Sequence, residues 1–149
     1  MAALSTLDID RKLETSNFLG AFAFDELPPR QDNDFSVIVN TESSTEAGEH
    51  WIAIIFKKKK FYFIDSYGRS PVNALFTKDF KNKIKDYFKD YHYKYNPRML
   101  QDIFSNMCGY YSIYFIREME NKSLKQALSI FDSNLKNNDA LVKEIVNFY

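Results

Sequence analysis

The sequence holds one cysteine, two histidines, four glycines and four prolines in 149 residues, and its charges cancel. Each scarcity excludes something. A lone cysteine cannot form an internal disulfide, so it points to a reducing compartment or to a thiol kept for its chemistry. Glycine and proline fall singly or as the Pro28-Pro29 pair and mark no linker, no repeat and no low-complexity stretch, so 1–149 reads as one domain. No run approaches the roughly 18 apolar residues of a membrane span. The opening MAALSTLDIDRKLE carries acids where a secretory leader would be basic and then apolar. A soluble, intracellular protein with no membrane partner is expected. With 20 Lys and Arg against 20 Asp and Glu, no whole-molecule field draws the chain to nucleic acid, and any such binding needs a local patch. No metal site is read from the sequence.

Aromatic residues are what the chain has in plenty: 14 Phe and 10 Tyr within a 45% apolar composition, enough for one substantial core. STLDIDRKLE offers Ser5 as a helix cap with Asp8 three residues on. NFLGAFAFDELPPRQ reads as an irregular apolar segment. DFSVIVNT is a strand, ESSTEAGE a polar loop, and HWIAIIF with FYFIDS a hairpin about four lysines. Ser70-Pro71 signals a helix start, continued by Phe76, Phe80, Ile84 and Phe88 on one face. YHYKYNP alternates like a strand, and three helical patterns follow from Cys108. The plan is α+β, with the sheet packed against the Cys108 helix.

SNMCGYYSIYFI places the only thiol where a buried helix begins. Free amides and the dipole at such an end favour a negative sulfur, and a neighbouring imidazole would favour it more. The hairpin chooses between the two histidines. With Phe56 opposite Phe61, Ile52 falls opposite Asp65, and His50 projects from the same face two residues on. A turn of two or four residues gives this register; a turn of three breaks it. Asp65 can then hold one imidazole nitrogen and leave the other for Cys108, the base-and-orienter arrangement of a triad. Taken singly, each residue has a plainer role: Cys108 a small buried apolar residue, His50 a polar strand end, Asp65 a turn residue, Gln101 surface polarity. His92, among alternating tyrosines, is read as passive, and Lys57 to Lys60 as a solvated hairpin tip.

Together, GEHW, FYFIDSYGRSP and LQDIFSNMCGYY resemble the adenain-like cysteine proteases, and NFLGAFAFDELP resembles the opening of the type found in Polinton (Maverick) elements and related viruses. The wider superfamily includes the SUMO-deconjugating Ulp-type proteases, and Asp65 followed by Ser66 is closer to the Ulp pattern. The resemblance implies a papain-like fold with a mixed sheet against a central helix starting at the nucleophile. It implies Cys108 as nucleophile, His50 as general base, Asp65 as orienter and Gln101, seven residues before Cys108, as oxyanion donor. Trp51 and Gly109 would border the substrate groove. The implied activity is endopeptidase cleavage of viral structural precursors at glycine-containing sites during virion maturation, in host cytoplasm or nucleus or within the virion. A protease for SUMO or ubiquitin-like proteins and a catalytically idle peptide-binding module are the alternatives. The chemistry implies no cofactor. The family's accessory activators are a peptide and DNA. With no second cysteine, a peptide would bind by adding a strand to a sheet edge. DNA would have only Lys57 to Lys60 and the lysines between Lys78 and Lys94 as a patch.

Overall fold

The computed structural model describes residues 4–14, 17–45 and 50–149. Met1 to Ala3 of the opening, and Glu46 to Glu49 of the expected polar loop with the Gly48-Glu49 of GEHW, lie outside them. One five-stranded sheet runs in the order β1 (Phe18–Ala23), β2 (Phe35–Asn40), β3 (Trp51–Lys57), β4 (Lys60–Ile64), β5 (Tyr93–Tyr95). The central pairs are antiparallel and the two outer pairs parallel. The helices are α1 (Thr6–Lys12), α2 (Lys78–Phe88), α3 (Cys108–Glu118), α4 (Leu124–Leu128) and α5 (Leu135–Asn147).

The sheet is covered on both faces, which explains why β2 and β3 read as continuous apolar runs. Along β3, Ile52, Ile54 and Phe56 enter a core completed by Phe61, Phe63 and the α2 residues Phe80, Ile84 and Phe88. Ala53 and Ile55 point the other way, into a core built by α3, α5 and Ile9 of α1. From Cys108 to Ile116 every residue of α3 is buried. A helix that is enclosed all round has no polar face to choose, so its axis is fixed by packing and its first residue is placed rigidly at the sheet's end.

The Ser5–Asp8 capping box of α1 forms as read. Two readings need correction. The segment taken as irregular contains β1; its pairing shifts between Phe18 and Ala21, so the alternation that identifies a strand is interrupted. Ser70-Pro71 starts no helix. Asn73 closes turns with Ser70 and Phe76, and α2 begins at Lys78, where Thr77 Oγ1 accepts from Phe80 N at 3.2 Å. The lysine run is also less passive than a solvated tip. Lys57 Nζ donates to Met119 O at 2.7 Å and Lys122 O at 3.1 Å, which holds the C-terminal end of α3. Lys58 and Lys59 make the two-residue turn at φ 51° and 63°, a left-handed pair that non-glycine residues adopt at roughly 1–2 kcal/mol each. Among the described residues no helix is long and apolar enough to cross a membrane.

Candidate active site

The hairpin register is the expected one. Phe56 pairs with Phe61 and Ala53 with Ile64, which carries Ile52 opposite Asp65 and leaves His50 just before β3. His50 Nε2 lies 2.8 Å from Asp65 Oδ1. Asp65 is fully buried, and both its oxygens are used. Oδ1 also accepts from Tyr67 N at 3.0 Å, and Oδ2 accepts from Arg69 Nε at 2.5 Å. Burial would raise this carboxyl, but the bonds and charges of His50 and then Arg69 hold it below the usual range.

Cys108 is the first residue of α3, and no side chain caps that end. Trp51 N donates to Sγ at 3.5 Å, and the imidazole of His50 hydrogen-bonds the same sulfur. Since Asp65 occupies Nε2, the sulfur takes Nδ1. Burial works against a charge on either partner. For Cys108 the His50 bond, the imidazolium charge and the Trp51 and Gly109 amides outweigh burial and lower the thiol. For His50, burial is outweighed by Asp65 and Cys108, and its pKa is raised to about 9. Both shifts run the same way, toward a negative sulfur beside a protonated imidazole. Gly109 lies under Trp51 and the N-terminal segment. A Cβ there would sit 3.2 Å from Leu4 Cβ and 3.5 Å from Trp51 Cδ1, so its small size lets α3 approach the strand. Trp51 Nε1 donates to Leu4 O at 3.2 Å and fixes the indole beside the thiol.

Gln101 is buried and anchored at both ends of its amide. Oε1 accepts from Ser66 Oγ at 2.5 Å, while Nε2 donates to Ser105 O at 3.0 Å and meets Ser105 Oγ at 3.2 Å. Leu100 N donates to Ser66 O at 2.8 Å, so the loop carrying Gln101 is tied to the residue after Asp65. Two hollows of about 600 and 720 Å³ meet at Cys108. His50, Gln101, Phe76 and Ile103 line the first; Trp51, Leu4 and Phe22 line the second. An extended chain lying through both would pass over the thiol. His92 is exposed beside β5, as its passive reading expects.

Sequence reasoning missed Ser66, Tyr67, Arg69 and Ser105. The Tyr67 ring stacks on the imidazole, centroids 4.8 Å apart and 15° from parallel, so it covers one face of that ring. Arg69 returns to Asp65 because Gly68 turns the chain between them, with Gly68 N donating to Asp65 O at 2.8 Å. The available signal was the SYGR that follows Asp65: a glycine turn that brings a cation back onto an acid four residues earlier.

The chain matches no protein-family model and no curated protein. Among solved structures it is similar to the ASFV pS273R protease, with a TM-score of 0.58 and 19% identity over 93% of this chain and 64% of that one. The selenomethionine form of that protease gives 0.54 and 19% over 95% and 67%. The chain thus spans 64% of the length of the first of these. At this identity the likeness shows the fold: α+β and papain-like, a mixed sheet packed against the helix that starts at Cys108.

Proposed function

We propose that the protein is a cysteine endopeptidase acting on precursor polypeptides, with Cys108, His50 and Asp65 as its triad. The observation that carries this reading is the unbroken line from Sγ through the imidazole to Asp65 Oδ1 at a helix start, open to a cleft on both sides. The thiolate attacks the scissile carbonyl, and the electron pair moves onto its oxygen. The imidazolium then gives its Nδ1 proton to the departing amine, leaving a thioester on Cys108. Water, deprotonated by the now neutral His50, attacks the thioester, releases the acid and expels the sulfur as thiolate, which restores the ion pair with the reprotonated imidazole for the next cycle.

The oxyanion needs donors already in place. We assign the Cys108 amide and Gln101 Nε2, whose hydrogen toward Ser105 Oγ is the one a developing charge would compete for. Gln101→Ala should then lower kcat by roughly 100- to 1,000-fold, about 2.7–4 kcal/mol, with a smaller change in KM. Unchanged turnover removes Gln101 from the mechanism.

As substrates we favour short extended segments of viral structural precursors, cut at glycine-containing sites. The fold shared with the ASFV protease supports a viral setting, and Trp51 beside the thiol supports small residues at the scissile bond. Leu75 and Ile103, 80% and 58% exposed on the first hollow, suit an aliphatic side chain nearby. An activating peptide would extend the sheet at β5, where Tyr93 and Tyr95 are 40% and 38% exposed. Basal activity should not need DNA. Peptides of about eight to ten residues, enough extended chain to span the cleft, should be cut after or between glycines. Replacing the upstream Leu, Ile or Met by Asp should stop cleavage. Inert peptides together with rapid processing of a folded SUMO precursor would replace this reading with a ubiquitin-like-protein protease.

A further inference from the structure

We propose that Arg69 is a positioning residue of this site: by holding Oδ2 of the buried Asp65 it keeps the carboxylate charged and aimed at His50, and so sets the acid limit at which the Cys108 thiolate survives. The inference rests on the cysteine-protease reading for its kinetic form, but its physical basis is independent of turnover.

Asp65 has no exposure to solvent. A buried carboxylate with the imidazole as its only charged partner would be costly whenever that imidazole lost its proton, and His50 must lose it in every cycle. A guanidinium does not titrate in this range, so Arg69 supplies a permanent countercharge. Its geometry is fixed as well as its charge. Nε donates to Oδ2 at 2.5 Å, and the guanidinium carbon lies 4.4 Å from the centroid of the Phe76 ring and 5.3 Å from that of Tyr67. Tyr67 in turn stacks on His50. Arg69, Asp65, His50 and Cys108 thus form a chain of alternating sign, and the Arg69 side chain stays 21% exposed on the wall of the first hollow.

Glu42 and Asp79 share the wall of the first hollow and Asp139 acts on the Tyr67 phenol, while the direct partners are those of the line itself. Asp65 meets His50, Arg69 and the Tyr67 amide; Cys108 meets His50 and the Trp51 and Gly109 amides. The Tyr67 phenol, which burial and then the neighbouring thiolate keep protonated above its ordinary range, adds no charge at neutral pH. Removing Arg69 therefore acts in one direction on both anions. Asp65 loses its second partner and protonates at higher pH, and Cys108 loses a distant positive charge and a fully charged orienter. Both changes move the acid limb of activity upward, by about one pH unit on the scale of a single adjacent countercharge.

The test compares wild type, Arg69→Ala, Arg69→Met and Arg69→Lys. Two pH profiles are measured on each: kcat/KM with a glycine-containing peptide, and the rate of Cys108 alkylation by iodoacetamide, which needs no turnover. Methionine keeps the apolar stem on Phe76 if the alanine variant proves unstable. The expected result is an acid limb raised by about one unit in Ala and Met in both profiles, a loss of kcat that grows toward about tenfold on the acid side of the limb with KM little changed, and substantial return of the limb in Lys. Activity lowered equally at all pH values, with both limbs unmoved, means that Arg69 only holds the loop, and overturns the inference while leaving the protease reading intact. If the wild type cuts no peptide and no folded precursor, yet the alkylation limb still moves up in Ala and Met, the inference stands and the protease reading falls.

Discussion

Cys108→Ala should abolish peptide cleavage while the fold survives. The thiol is the only sulfur nucleophile in the chain, and no hydroxyl replaces it in the variant. With it gone, the proposed oxyanion donors and the cleft have no covalent step to support. The structural loss is small, because the bonds that Sγ takes from His50 and from the Trp51 and Gly109 amides are few, and the imidazole keeps its partner in Asp65. A melting temperature within a few degrees of wild type, with turnover at background, is the expected pair of results. The wild-type protein offers a matching signature. An ordinary thiol near pKa 8.5 loses about tenfold in alkylation rate for each pH unit below that value. Cys108, lowered chiefly by the bond and charge of His50, should lose distinctly less than that on going from pH 8 to pH 7. At the alkaline side kcat/KM should fall as His50 loses its proton at about 9. On the proposed mechanism the imidazolium protonates the leaving amine; it is present below that pH and lost above it, so the limb descends with rising pH. Cleavage by the alanine variant, or a rate of alkylation that climbs tenfold from pH 7 to 8, would remove the thiolate–imidazolium pair from the account.

Much of the site was legible because it depends on short-range rules. Period-two alternation and a turn of even length put His50 and Asp65 on one face, and the structure has that turn, Lys58-Lys59. The buried helix after Cys108 was visible as an apolar run with no polar stripe. What could not be read was anything set by close approach between distant segments. Strand β1 lies at a sheet edge with an interrupted pairing, so its alternation carried no signal until β2 was beside it. A proline after serine suits a helix start, but the turns around Asn73 delay the helix until Thr77 can cap it. Lys57 looked like one more solvated charge because the carbonyls it binds, those of Met119 and Lys122, come from more than 60 residues away. Arg69 and Ser66 were overlooked for a related reason: their importance rests on Asp65 and Gln101 being buried together, which no local pattern announces.

Gly68→Ala should damage both stability and turnover, and for a cause that can be isolated. Gly68 has φ +77°, a left-handed conformation that costs an L residue roughly 1–2 kcal/mol. Space is a second obstacle. A Cβ at this position would stand 2.7 Å from Arg98 C, 2.8 Å from Arg98 O and 2.9 Å from Met99 N. That backbone cannot retreat freely. The Arg98 side chain donates to Phe131 O at 2.9 Å and Leu128 O at 3.3 Å, Asn96 Oδ1 accepts from Arg98 N at 3.0 Å, and Leu100 N is bonded to Ser66 O. Overpacking of this kind adds roughly 1–3 kcal/mol, for a total of about 3 kcal/mol, or a melting temperature lower by roughly 6–12 °C in a chain of this size. The two loops that would be forced apart carry Asp65, Arg69 and Gln101, so kcat should fall by more than tenfold even at temperatures where the variant is folded. Gly68→Asn separates the two causes. Asparagine tolerates the left-handed region far better than alanine does, but its Cβ meets the same carbonyl. If close approach governs, the asparagine variant should be no more stable and no more active than the alanine one. Recovery of stability in asparagine would show that the backbone conformation alone is what glycine provides at this turn.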